Sequence, residues 1–439
     1  MASNHAKTVG SLGSFIGSLK DSIEPLLSPS STIQQPHIYI GNEAGDADSL
    51  ISALCYGFLE YSKQQDETTV HLPLLSIPRG ELTLRPEVRT LFSLTTLKDM
   101  SDLENSLCYF DDFPQDNQEN SSTLLHILTS KHNVQTTLLD HNVLAPKLTK
   151  MYPLLENGIV SIIDHHLDQG LYHNSVQDVH RKIAFSHDVA LAGSACTLVA
   201  EAFLQHDKMA THNLLNKDIA TLLAGVILID TLNMDVAAKK GTDRDAAILE
   251  ALLPLVDTSR DELFQMLMNA KFNPVWWASL TSAQILGYDY KQGEVNGGVN
   301  YGMSSALVSL TSLLGQPDFT EVCLNFMTSK QLAAFSVMSM TTTTNDDGGG
   351  GDGPTKHREL MIVALSPHKL EQIQNAFFSI ASGLDLIPLN IKVNDTSSEK
   401  SQCYIATFTQ QDISKSRKQV MPMFHQAIQL AFENQACSE

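Results

Sequence analysis

The chain has 439 residues, 43% of them hydrophobic, and its 29 basic side chains face 49 acidic ones, for a formal net charge of −20. Such a chain can bury two ordinary cores, so two domains are expected. Its acidity excludes a general nucleic-acid or anionic-membrane binder, because both need an extended basic surface, and no apolar run reaches the ~18 residues of a bilayer span. An anionic substrate stays open, since bound divalent cations and a few placed Lys and Arg reverse the local field. The cysteines, at 55, 108, 196, 323, 403 and 437, form no CxxC pair and read as reduced thiols. Without a recognisable signal or anchor, the chain is expected to work in the cytoplasm.

Residues 1–33 are Ser- and Gly-rich around an amphipathic piece, Phe15 to Ile23. A mitochondrial presequence would be Arg-rich and free of acids. Here there is no Arg, and Asp21 and Glu24 are present, so a short helix packed on the domain is expected. A first strand then runs from His37 to Gly41, followed by the loop Asn42 to Asp48 and an apolar-rich helix from Ser49 to about Tyr61. Asp46 and Asp48 stand two apart in a turn that opens a helix, so both carboxylates can point to one place above the sheet. Taken alone, the stretch reads better as a plain helix cap at Asp48 or Ser49.

Another strand-like run, Leu74 to Ile77, leads into Arg79 and Arg85. In a chain so poor in cations these are candidates to hold substrate phosphates, or else surface salt-bridge partners. Residues 111–122 are acidic and polar and read as an exposed loop. Thr136 to Leu139 ends in Asp140-His141-Asn142, and the apolar run Gly158 to Ile163 ends in Asp164-His165-His166. A buried strand that delivers ligand-type side chains to its C-terminal edge puts them where open α/β sheets place their sites. At a strand end, where the chain turns, one of two adjacent His rings can bind metal while the other faces a substrate.

Ala192 to Leu198 looks like a loop entering a helix. Its free amides could approach a phosphate, or its small residues could serve close packing. Ile219 to Ile229 is apolar nearly all round, which leaves helix and strand both open, and it ends in Asp230. Four apolar segments, each ending in Asp or His, point to one metal cluster assembled from four places.

Beyond this the chain changes character. Ala246 to Val256 is helical by pattern, and Asp257 to Ser259 offers a cap for a helix over Asp261 to Ala270 that stops at Lys271-Phe272-Asn273-Pro274. Strand-like pieces at Tyr288–Tyr290, Phe335–Met340, Leu360–Leu365 and Cys403–Phe408 then alternate with helices at Pro367–Ala381 and Gln419–Asn434, as in a smaller α+β domain. Thr341 to Thr355, with four consecutive glycines, is a low-complexity insertion expected to be disordered.

In their order and spacing, four stretches resemble the DHH phosphoesterase superfamily, in its exopolyphosphatase and prune-like branch with a C-terminal DHHA2 domain. They are Gly41 to Ser49, Asp140-His141-Asn142, Asp164-His165-His166 and Asp230-Thr231. The resemblance implies an α/β fold, with an N-terminal extension over 1–34 and a parallel-sheet DHH domain over 35–240. A linker over 241–258, entered where Lys239 to Asp243 reads as a mobile connector, and an α+β DHHA2 domain over 259–439 would follow. It implies two Mn²⁺ or Mg²⁺ ions, with Asn42 and Asp46 at the first, Asp48, His165 and Asp230 at the second, and Asp140 bridging both. His166 would face the substrate phosphate. Pyrophosphatases of the superfamily have His where this chain has Asn42, and prune-type proteins typically have Arg where it has His166. The first favours the exopolyphosphatase and prune-like branch, and the second favours exopolyphosphatase over prune. Ser416-Arg417-Lys418-Gln419 is similar to a DHHA2 motif whose cations grip substrate phosphates across the interdomain cleft, which brings in Arg417, Lys418 and the matching Lys271.

Two divalent ions roughly 3.5–4 Å apart and bridged by a carboxylate can hold a hydroxide and aim it in line at phosphorus. The expected activity is release of terminal phosphate from linear polyphosphate. The alternatives are inorganic pyrophosphatase, prune-like cyclic-nucleotide phosphodiesterase, and a partner-binding protein of low turnover. An anionic polyphosphate or pyrophosphate substrate is expected, with no nucleic acid and no membrane as partner. The sequence assigns no oligomeric state.

Overall fold

The apolar runs of the N-terminal part become strands of one sheet: β1 (Gln35–Ile40), β2 (Thr69–Leu75), β3 (Cys108–Tyr109), β4 (Gln135–Leu139), β5 (Ile159–Asp164) and β6 (Arg181–Ile183). This is a computed structural model, and it describes residues 10–27, 35–64, 68–100, 102–112, 124–131, 133–210, 213–295, 297–343, 355–391 and 403–433. The strand order is β3-β2-β1-β4-β5-β6 and every pairing is parallel. A parallel sheet is covered on both faces, which is why Ile38, Tyr39 and Ile40 in its middle are all buried. From β1 the chain builds outward to β2 and β3, then returns to lay β4 on the other side of β1. That reversal makes a topological switch point between β1 and β4, the place where such sheets bind ligands.

The helices of this unit include α1 (Leu12–Leu27), α2 (Ala47–Lys63), α3 (Pro86–Ser93), α4 (Ala195–Met209), α5 (Lys217–Asp230), α6 (Asp243–Leu252) and α7 (Arg260–Lys271). Helix α1 buries Leu12, Phe15, Ile16, Leu19, Ile23 and Leu26 along one stripe, the helix packed on the domain that its sequence predicts. Helix α5 settles the ambiguous run. It is apolar all round because Asp218 to Ile229 are all buried, sheathed by other helices. A short hairpin, β7 (Phe185–Ser186) with β8 (Val189–Ala190), follows the sheet edge.

The second unit is a mixed sheet of β9 (Lys291–Val295), β10 (Val299–Ala306), β11 (Leu332–Thr343), β12 (Thr355–Ala364), β13 (Leu386–Pro388) and β14 (Tyr404–Gln410). Its order is β13-β14-β12-β11-β10-β9, with only β10 and β11 parallel, joined by α8 (Phe319–Ser329). Helices α9 (Pro367–Ile380) and α10 (Arg417–Glu433) pack on each other and close a core that includes Phe377, Phe408 and Phe424.

Three expectations are corrected here. The compact units are Met1–Lys271 and Phe272–Glu439. The expected linker over 241–258 instead holds α6, opened by a Thr242–Asp245 capping box, whose Ile248, Leu249 and Leu252 join the N-terminal core. Its charged start is a helix cap rather than a connector. The strand placed at Tyr288–Tyr290 begins only at Lys291, because Tyr288 caps a helix and Asp289 adopts a left-handed turn at φ 47°. Of the low-complexity segment and the acidic loop, residues 344–354 and 113–122 lie outside the described residues. Among the described residues, Cys55, Cys108, Cys196, Cys323 and Cys403 are free and buried, and no helix is long and apolar enough to cross a membrane.

The joint between β1 and α2 is a close backbone approach near the switch point. A Cβ on Gly41 would lie 2.6 Å from Ser49 Cβ and 2.7 Å from Ser49 O. Gly41→Ala is expected to lower stability by roughly 1–3 kcal/mol, as overpacking typically does. Urea unfolding measures this, and an unchanged midpoint would contradict so close an approach.

Candidate metal centre

Past Gly41 the chain turns through Asn42 to Asp46, whose carboxylate accepts the Ser49 N–H at 3.1 Å and caps α2. Asp48, in the first turn of that helix, is buried. Its carboxylate meets the start of α4, accepting Ser194 Oγ at 2.8 Å, the Ala195 N–H at 2.7 Å and the Cys196 N–H at 2.9 Å. The helix start that its sequence offers to a phosphate is therefore committed to Asp48.

Asp140 stands at the end of β4 with φ 62°, a left-handed conformation that Asp tolerates better than most residues. Its Oδ2 accepts Asn42 Nδ2 and Ser49 Oγ, both at 2.7 Å, across the switch point. Its Oδ1 lies 3.3 Å from His165 Nε2 and 3.6 Å from His166 Nδ1. His165 Nδ1 is 3.1 Å from the Ala192 carbonyl, an acceptor only, so Nδ1 carries the proton and Nε2 the lone pair. That lone pair also faces Asp48 Oδ2 at 3.7 Å. His166 Nδ1 donates to Asp164 Oδ1 at 2.8 Å. Asp140, His165 and His166 each bring a ligand atom to within 4.8 Å of the others.

Charge is concentrated here against the grain of burial. Burial, and after it the charge of Asp140, pushes the Asp48 carboxyl up to about 7. Burial, and after it the charges of Asp48 and Asp46, pushes Asp230 up to about 8. Asp230 ends helix α5 rather than a strand, and its buried Oδ2 accepts no hydrogen bond among the described residues. The chain leaves it through Leu232, Asn233 and Met234, at φ 50°, 57° and 58°, a strained turn that Arg260 fastens by donating to Asn233 Oδ1 at 2.6 Å. Asp164 goes the other way. Burial would raise it, but the hydrogen bond and charge of His166 and the Asn142 amide hold it well below the usual carboxylate range. Orphaned carboxylate oxygen beside an imidazole lone pair is a donor set that fits hard divalent cations.

The other expected site residues divide. Asn42 donates to Asp140 at 2.7 Å and its oxygen accepts the Ala44 N–H at 2.9 Å, so its amide braces Asp140. Lys271, at the end of α7, places Nζ 3.5 Å from Glu87 Oε1. Arg79 is not available to a phosphate. It donates from Nε and Nη2 to Asp112 at 2.8 and 2.7 Å and from Nη1 to the Glu104 carbonyl at 2.7 Å. It also lies 4.4 Å over the Tyr109 ring, fastening the turn after β3. Arg85 is buried and donates to the Gly45 and Ala44 carbonyls, both at 2.7 Å, which pins the loop between Asn42 and Asp48. In the second unit Arg417 donates to the Asp289 backbone and to Asp289 Oδ1 at 2.7 Å, and Lys418 is exposed.

Several working residues carried no assigned role in the sequence. Ser49 and Asn142 lie inside the motif stretches, and Asn142 Nδ2 donates to Asp164 Oδ2 at 2.6 Å. Ser194 opens α4 on Asp48. Asp245 is buried and accepts the Gly193 N–H at 2.8 Å and Thr197 Oγ1 at 2.6 Å, which fixes the loop that bears the Ala192 carbonyl.

A family model described as "DHH family, N-terminal domain" matches residues 37–227, and one described as "DHHA2 domain" matches residues 265–427. The chain is 33% identical over 260 residues to exopolyphosphatase PRUNE1 of Bos taurus, covering 58% of this chain and 49% of the relative. The Homo sapiens protein of the same name is 31% identical over 264 residues, with 58% and 50% covered. The Mus musculus protein is 27% identical over 399 residues, with 89% and 75% covered. The chain thus spans about half the length of the first two relatives. Among solved structures, a candidate family II inorganic pyrophosphatase of Methanococcus jannaschii superposes with a TM-score of 0.52 at 16% identity, over 90% of this chain and 99% of that one. At that identity the likeness is one of fold.

Raised carboxyls make the fold bind protons that the unfolded chain releases. Their contribution to stability is complete below the ordinary Asp value of 3.8 and is lost as pH rises through about 7 for Asp48 and about 8 for Asp230. A divalent cation held by these carboxylates would take the place of those protons. Mn²⁺ or Mg²⁺ should therefore raise the melting temperature, more at pH 8.5 than at pH 6. Asp230→Asn should melt higher than the wild-type protein without metal at pH 8.5 and lose most of the metal-induced shift. A variant that kept the full shift would remove Asp230 from the centre.

Proposed function

Because the chain is a DHH-family protein that carries a DHHA2 domain behind its DHH domain, we propose that it is a metal-dependent exopolyphosphatase that releases terminal phosphate from linear inorganic polyphosphate. Relatives named exopolyphosphatase support the reaction. The observation that carries the reading is the convergence of Asp140, His165 and His166 within 4.8 Å, beside Asp48 and Asp230 with their raised carboxyls.

Asp46, Asp48, Asp140, His165 and Asp230 would hold two divalent cations, Mn²⁺ or Mg²⁺. Such cations supply Lewis-acid stabilisation of a transferring phosphoryl group and lower the pKa of an attacking water. The chain's own contribution is orientation. Asn42 and Ser49 fix one Asp140 oxygen and so aim the other toward His165 and His166. The Ala192 carbonyl fixes the His165 tautomer with Nε2 toward the carboxylates. Asp164 accepts the Nδ1–H of His166, which directs the other ring nitrogen away to serve a phosphate oxygen. Lys271, Arg417 and Lys418 are the cations proposed to bind substrate phosphates. No protein nucleophile is needed, so the rate would come from positioning and charge neutralisation.

Purified protein with Mn²⁺ or Mg²⁺ should release phosphate rapidly from long polyphosphate and leave pyrophosphate as an end product. Asp140→Asn and His165→Ala should stay folded by circular dichroism and lose more than about 10²-fold in kcat, the scale seen when one stabilising group is removed. Near-normal release by either variant would sink the assignment, and turnover of pyrophosphate or cyclic AMP alone would replace the substrate. Arg79→Ala should lower the melting temperature yet leave KM for polyphosphate within about twofold, since its donors serve the fold. A large rise in KM would return Arg79 to the substrate.

A further inference from the structure

Glu87 is a carboxylate that the packing of the first unit does not explain. It sits in the first turn of α3 with no exposed surface, and among the described residues neither of its oxygens accepts a hydrogen bond. Negative charge is favoured at a helix start, but here no amide is bonded to it. Burying a carboxylate without donors is unfavourable unless an opposite charge stands close, and an apolar side chain of similar size would pack there with less strain on stability. The charge that does stand close is the Lys271 ammonium, 3.5 Å from Oε1.

Helix packing enforces this encounter. Helices α3 and α7 both lie on α5 at Gly225, where a Cβ would meet Leu91 Cδ2 at 2.3 Å and Leu267 Cδ1 at 3.1 Å. Leu91 is four residues after Glu87 and Leu267 four before Lys271, so each charged residue shares a helix face with the leucine beside it. Gly225 itself lies little more than one turn before Asp230 at the end of the same helix, so the packing that seats Lys271 on α5 also sets it near the carboxylate cluster. Lys271 is thus set between a buried acid on one side and the carboxylate cluster on the other.

We propose that Glu87 is a positioning residue, which holds the Lys271 ammonium at the border of the carboxylate cluster so that it meets the substrate's phosphate already in place. The inference rests on the phosphohydrolase reading above. A lysine stem has several rotatable bonds, and fixing it before substrate arrives removes an ordering cost from binding. Glu87, with no exposed surface, acts only through Lys271.

Glu87→Gln keeps the shape and removes the charge. It should raise KM for polyphosphate about tenfold with kcat within about threefold, while the melting temperature does not fall. Lys271 in this variant should react several-fold faster with an amine acylating reagent, read by mass spectrometry. Glu87→Asp, with the charge kept on a shorter stem, should give a smaller rise in KM. Lys271→Met should raise KM at least as far, and adding Glu87→Gln to it should change nothing more. Wild-type KM and a wild-type Lys271 labelling rate in both Glu87 variants would overturn the proposal, as would full additivity with Lys271→Met. If wild-type protein released no phosphate from polyphosphate, the exopolyphosphatase reading would fall, and the labelling rate would still decide whether Glu87 holds Lys271.

Discussion

Acceptors that face acceptors are the constraint on which the first unit depends. Asp140 Oδ1 lies 3.3 Å from the His165 Nε2 lone pair, which lies 3.7 Å from Asp48 Oδ2, and Asp230 is close enough to share its repulsion with Asp48. Ionised carboxylates and an imidazole lone pair offer no donor to one another, so the cluster is stable only when protons or cations stand between them. The neighbouring structure restrains it from outside. Asn42 and Ser49 hold one oxygen of Asp140, Ser194 and two amides hold Asp48, and Asp164 holds His166.

The sheet makes this convergence possible. Parallel strands all end on one edge, and the reversal after β3 makes β1 and β4 neighbours, so Asn42 and Asp140 meet although 98 residues separate them. Helix α4 is then aimed at Asp48 by its own requirements. Its first amides lack partners within the helix, and a carboxylate at that end also suits the helix dipole. One contact therefore completes a helix and fixes a candidate ligand.

The two N-terminal arginines clarify what scarce cations do in an acidic chain. Arg79 and Arg85 direct their donors to backbone carbonyls and, for Arg79, to Asp112 as well. A planar guanidinium satisfies several fixed acceptors at once, which suits it to fastening loops that have no regular hydrogen bonding of their own. Arg85 does this directly beneath the loop that carries Asp46 and Asp48, so its contribution to the centre is the shape of that loop.

The sequence by itself determined the strands that end in Asp140 and in Asp164-His165-His166, the amphipathic α1, and the order of the four motifs. Each of these is a local pattern, an apolar period or run that ends in polar residues, and a local pattern is fixed by neighbours along the chain. What only the tertiary structure decided lies between distant segments. It made Ile219–Ile229 a helix, because its all-round apolarity is satisfied only by other helices around it. It moved the unit boundary to Lys271, because the charged start of α6 is a cap and not a connector. It turned Arg79 into a loop fastener, because whether a polar group is free to bind a ligand depends on which distant acceptors and donors reach it first.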